Sequence, residues 1–208
     1  DGGTGTGVQP SRTYAAAGTY PVTVTATDDQ GATNSSSATV TVTPPAASQV
    51  TFRAATAVDA NSATPTVMTP ATVAAGDLMV LIATLNNADA AITGPAGWTL
   101  VDSVSSTTNT MQSAVWTKVA TAADAGSSIR VTNSVTSKSL LSLYAYAGAG
   151  GISAIARAVE SVASTSHTSP TVAVSTPGST LLSYWADKSS DNTGWALPVG
   201  VVARTQSV

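Results

Sequence analysis

Apolar and polar positions alternate strictly in the first part of the chain. In Thr19-Tyr20-Pro21-Val22-Thr23-Val24-Thr25-Ala26-Thr27 the residues Tyr20, Val22, Val24 and Ala26 fall on one face and threonines on the other, the period-2 signature of a half-buried strand. Asp28-Asp29-Gln30-Gly31 supplies turn chemistry, and Ala38-Thr39-Val40-Thr41-Val42-Thr43 alternates again, which predicts an antiparallel pair. The pattern changes at Asp77–Asn86, DLMVLIATLN, the longest nearly unbroken apolar run. It is too short to span a membrane and is flanked by turn formers, so it predicts a central strand buried on both faces. Leu78, Val80 and Ile82 form one face and Met79 and Leu81 the other, with Leu140, Leu141, Leu143, Leu181 and Leu182 as their expected cover.

Further strands are predicted at Val50–Val58, Thr64–Thr69, Thr99–Ser106, Met111–Ala120, Ser128–Asn133, Ser139–Gly148, Thr171–Thr176, Thr180–Asp187 and Val199–Thr205, with Gly- and Pro-containing turns between them. Between Gly148 and Ser169, Ile152, Ile155, Val159 and Val162 fall near helical spacing, so a short helix and an irregular crossover both fit. The segment Thr43-Pro44-Pro45-Ala46-Ala47-Ser48 has no apolar period and is stiffened by two prolines. It reads as a linker. The expected organisation is therefore 1–43, a linker at 44–48, and a larger β domain over 49–208 whose pattern runs up to the last residue, as if the final strands were cut away. The abrupt opening in DGGTGTG suggests that the start is cut from a longer parent as well. Thr, Ser, Val, Ala and Gly dominate while Glu, Lys and Leu are scarce, which removes the good helix formers. The fold class is expected to be all-β.

In the first segment the succession DGG, PSRTYAAAGTYPVTVTATDDQGAT and ATVTVT resembles the C-terminal half of a PKD-type domain, an immunoglobulin-like β-sandwich of extracellular proteins. The resemblance covers Asp1–Thr43 and lacks the family's N-terminal strands, apart from a remnant at Asp1-Gly2-Gly3. Half a sandwich bares its inner face. Leaving Tyr14, Tyr20, Val22, Val24, Val40 and Val42 uncovered forfeits about 1.5–3 kcal/mol per large side chain, so upstream residues or a neighbouring β domain of the same parent chain are the expected partners. The second unit, with AAGDLMVLIATLN, GPAGWTLV, AVWTKVATAADAGSS and TPGSTLLSYWADKSS, resembles a module of secreted actinobacterial proteins. Its pattern suits a jelly-roll-like sandwich.

Charge narrows the partners. Charged residues make up 9% of the chain and the net charge is −3, so no basic surface exists to gather phosphates; neither nucleic acid nor membrane insertion is expected. Cysteine is absent, which excludes disulfides and thiolate metal sites. The one histidine, His167, sits in SVASTSHTSP without a Gly-x-Ser-x-Gly elbow, and the one glutamate is Glu160; no catalytic residue is expected. Calcium is the metal that suits loop carboxylates, and Asp28, Asp29, Asp187 and Asp191 are its candidate ligands, although no EF-hand spacing accompanies them and plain Asx turns are the favoured reading at each place. No other cofactor is expected. Of the four tryptophans, Trp116 and Trp185 lie in alternating segments where burial is expected. Trp98 and Trp195 follow Gly-terminated turns and are the candidate ligand contacts.

These features predict a non-catalytic extracellular or cell-surface structural or adhesion module of a larger secreted protein. An accessory carbohydrate-binding module of a secreted hydrolase and a phage tail or capsid appendage are the alternatives. Polysaccharide or a cell-surface protein would be the partner.

Overall fold

The computed structural model describes residues 3–7, 9, 11–43, 49–106, 110–160, 162, 164–188 and 193–207. The predicted linker at 44–48 lies outside the described residues, as does Asp191. The chain is all-β and separates into two units, Asp1–Ala47 and Ser48–Val208.

The first unit is a hairpin of β1 (Gly18–Thr27) and β2 (Thr33–Val42), paired antiparallel from Gly18↔Val42 to Thr27↔Thr33. The turn between them is set by Asp28, whose Oδ1 accepts the backbone N–H groups of Gln30 (3.0 Å) and Ala32 (2.7 Å). Gly31 there has φ +85°, a conformation that L side chains rarely adopt. Alternation separates the faces as the sequence predicts. Hydroxyls of Thr23 and Ser37 meet at 2.9 Å and those of Thr25 and Ser35 at 2.8 Å on one side. On the other, Tyr20 stacks at 4.4 Å on Tyr14 while Val24 and Val40 stay exposed.

In the second unit a five-stranded antiparallel sheet has the order β3–β11–β5–β8–β7. Its strands are β3 (Thr51–Ser62), β5 (Leu78–Leu85), β7 (Thr99–Ser105), β8 (Gln112–Val119) and β11 (Ser137–Ala147). The short strands β4 (Thr66–Met68) and β9 (Ser128–Arg130) pair with each other, as do β6 (Ile92–Thr93) and β10 (Thr132–Asn133). β5 is the middle strand and every one of its residues is buried, because it has a ladder neighbour on each side and a covered face above and below. Met79, Leu81, Ala83 and Leu85 join Trp116, Leu141 and Leu143 in a core closed by Val67 of β4, Ile129 of β9 and Val131 between β9 and β10. Leu78, Val80 and Ile82 face the other way, with Tyr144, Tyr146, Phe52, Leu182 and Tyr184.

Several expectations need correction. Leu141 and Leu143 do not cover the central strand; they sit beside it on β11, opposite Ala83 and Leu81. Leu181 is 66% exposed, so within its pair only Leu182 packs on the sheet. Residues 171–176, 180–187 and 199–205 form no ladder pairs, and residues 148–160 contain no helix. The apolar positions of these segments can be satisfied by side chains laid on a sheet face, which requires neither a ladder nor a helical register, and alternation alone does not distinguish the two modes.

The loops at one end of the sheet are fixed by two buried carboxylates. Asp77 accepts the Ala74 N–H at 2.8 Å and pairs with the Arg53 guanidinium. Asp124 binds the Lys118 ammonium at 2.5 Å and, through its other oxygen, the Thr121 N–H and hydroxyl, each at 2.7 Å. Burial by itself raises the Asp124 carboxyl, but the Lys118 and Thr121 donors outweigh it and the pKa ends below its ordinary 3.8. A depressed folded-state pKa means that the unfolded chain takes up the proton first. The Asp124 contribution to stability is therefore complete above pH 3.8 and is lost as pH falls below it through the lower folded value. Asp124→Asn is expected to flatten this limb of an acid-unfolding profile followed by circular dichroism, and a variant with the wild-type profile would show that the Lys118 and Thr121 contacts do not stabilise the charge.

Candidate functional site

The face of the sheet formed by Leu78, Val80 and Ile82 is roofed by the C-terminal segment, which lies on it without pairing and leaves space beneath. A cavity of about 790 Å³ lies between this face, the end of β7 and described residues at 149–160 and 164–188. A second, of about 360 Å³, lies between β11 and the described residues at 180–185 and 195–207. Trp185 and Trp195 line both.

Polar contacts fix the roof. The Tyr184 hydroxyl meets that of Thr84 at 3.0 Å, and Thr84 in turn meets Ser113 at 2.6 Å. The Tyr144 and Thr205 hydroxyls are 2.7 Å apart, and the Arg204 guanidinium stands 3.9 Å above the Phe52 ring. Arg157 pairs with Asp102 of β7. Burial dominates the chemistry of the phenols under this roof. It pushes Tyr184 up to about 12, against a smaller opposing effect of the Thr84 hydrogen bond, and raises Tyr146 in the same direction. Both are therefore neutral hydroxyls at physiological pH, able to donate and accept.

Of the candidate ligand contacts, Trp98 packs against the buried core through a turn closed by its own N–H on Pro95 O at 3.2 Å. Trp195 instead is half-buried at the cavities, with the His167 ring 5.5 Å away. Trp116 is buried as expected, at 4% exposure. Trp185, expected in the core, is half-buried and lines the cavities. Sequence reasoning missed the partner of His167: its Nδ1 lies 2.7 Å from Glu160 Oε2. Seven residues apart in an irregular segment, the two carried no spacing signal, and only the fact that each is the sole member of its type hinted at a pairing. A histidine oriented by a carboxylate has the form of half a catalytic triad, yet no Ser or Thr hydroxyl is bonded to its ring among the described residues.

The candidate calcium ligands are divided between the two units, and Asp191 lies outside the described residues. Asp28 and Asp29 are exposed at the hairpin turn, with Asp28 Oδ1 already taken by two N–H groups, and Asp187 is exposed beside the larger cavity in the other unit. Among the described residues no cluster of three or more His, Cys, Asp or Glu side chains could hold a metal ion. No helix among them is long and apolar enough to cross a membrane.

A hairpin with strict alternation, an Asp-x-x-Gly turn and a paired-tyrosine entry is what the first unit offers for comparison with known proteins. Residues 1–44 match the family model of the PKD domain. The match spans 44 of 208 residues, so the PKD segment accounts for the first unit and leaves the five-stranded sheet and its cavities outside. The match supports an immunoglobulin-like part at the start of an all-β chain. No curated protein and no solved structure matches the chain.

Proposed function

We propose that this chain is a non-catalytic structural or adhesion module of a larger extracellular or cell-surface protein. The observation that carries this is the PKD match over residues 1–44, a domain type that points to an extracellular structural or adhesive role. The composition agrees: a weakly charged, cysteine-free, Ser- and Thr-rich all-β chain suits a spacer whose stability comes from ladders and packing. The second unit supplies the larger core. Its cavities give the module a place for a ligand and its sheet gives a rigid frame.

The reading is tested on intact cells of the organism that makes the protein. Protease added outside is expected to release fragments containing residues 48–208 while a cytosolic marker stays whole. Release only after lysis would sink the extracellular assignment. Purified chain is expected to leave ester, glycoside and peptide substrates uncleaved; cleavage that His167→Ala abolishes would overturn the non-catalytic part.

A further inference from the structure

We infer that the cleft around Trp185 and Trp195 is a binding site for a neutral saccharide. This goes beyond the spacer reading and does not rest on it. The four tryptophans divide by use: Trp116 and Trp98 belong to the core beneath the sheet, whereas Trp185 and Trp195 belong to neither buried cluster. Each of the latter lines both cavities. Indoles held at a cavity wall, with part of their surface uncovered, suit a ring that stacks. The smaller cavity, about 360 Å³, falls in the range of about 300–1,000 Å³ usual for small-molecule sites.

The polar groups around the pair select among ligands. The Tyr144–Thr205 hydroxyl pair lies at the smaller cavity, and the buried phenol of Tyr184 lines both. Ser142, 1% exposed, lines the smaller cavity with its hydroxyl unpartnered. A buried hydroxyl without a partner costs free energy unless a guest or a small shift satisfies it. Groups of both signs line the larger cavity: Arg157 pairs with Asp102, Glu160 is hydrogen-bonded to His167, and Asp187 and Lys188 stand together in the wall. Such a field does not favour an ion. It suits a molecule with apolar C–H faces for the indoles and many hydroxyls for hydroxyl and carboxylate partners, and a pyranose has both. A proline-rich peptide also stacks on aromatics, but it offers carbonyl acceptors and few donors, whereas a pyranose hydroxyl can both donate to and accept from the Ser142, Tyr144 and Tyr184 hydroxyls.

The test uses the full chain and its tryptophan emission. Soluble gluco-, xylo-, manno- and chito-oligosaccharides are titrated one series at a time, with a polyproline peptide as a separate arm. One saccharide series is expected to give a saturable change. Trp195→Ala and Trp185→Ala are each expected to weaken it by about tenfold or more, and Trp98→Ala to leave it within about twofold. If an alanine variant fails to fold by circular dichroism, Trp195→Phe keeps a smaller stacking face and Glu160→Gln keeps the shape; binding weakened severalfold in either, with the wild-type spectrum retained, supports the site. Absence of binding by every saccharide, equal binding in wild type and both tryptophan variants, or binding of the peptide alone would overturn it. None of those results bears on the protease accessibility of the module, so the spacer reading fails or stands separately.

Discussion

Leu81→Ala is expected to lower the unfolding free energy of the 48–208 unit by about 2–5 kcal/mol, the usual cost of deleting a fully buried leucine side chain and leaving a cavity. Leu81 has no exposed surface, and it stands in the sheet between Trp116 on β8 and Leu143 on β11. Neither neighbour can collapse into the gap, because each is fixed by its own ladder and both belong to the same buried cluster. Leu181→Ala supplies the contrast. That side chain is largely exposed, so its truncation is expected to change stability by less than about 0.5 kcal/mol. Denaturant midpoints of the two variants decide the matter: equal midpoints would mean that β5 does not organise the unit.

Gly94→Ala is expected to cost about 1–3 kcal/mol, toward the upper end, for a reason that has nothing to do with backbone freedom. A Cβ at this position would lie 2.2 Å from Nε1, 2.6 Å from Cε2 and 2.8 Å from Cδ1 of the Trp116 indole. Three atoms of one rigid ring are thus overlapped, and the ring is itself buried at 4% exposure, so relief requires the loop or the core to move. Combining Gly94→Ala with Trp116→Phe is expected to recover part of the loss, since the smaller ring vacates the overlapped space. A double-mutant cycle by chemical denaturation measures this. Strict additivity would show that the loop does not lie on the indole.

Much of this architecture was legible in the chain. The hairpin followed from period-2 alternation on both sides of Asp28-Asp29-Gln30-Gly31, since a strand with one apolar face has only one way to present it and the turn residues fix the reversal. The central strand and its two faces followed from a run too short and too apolar for anything else. Local chemistry determines these features, so local sequence reports them. The same is not true of what lies on the sheet. Whether 171–176 and 180–187 pair in a ladder or rest side chains on a face depends on where the chain arrives: the slots on either side of β5 are taken by β8 and β11, β3 and β7 end the sheet, and Leu182 and Tyr184 pack on its face. The contact of Gly94 with Trp116, the pairing of Glu160 with His167, and the separation of Trp98 into the core from Trp195 at the cavities are likewise set by how distant segments meet. By itself the sequence determined the all-β class, the hairpin and the strand at the centre. Only the tertiary structure decided which indoles are spent on the core and which line a cleft, because side chains of identical type and similar turn context differ only in the neighbours that long-range packing brings to them.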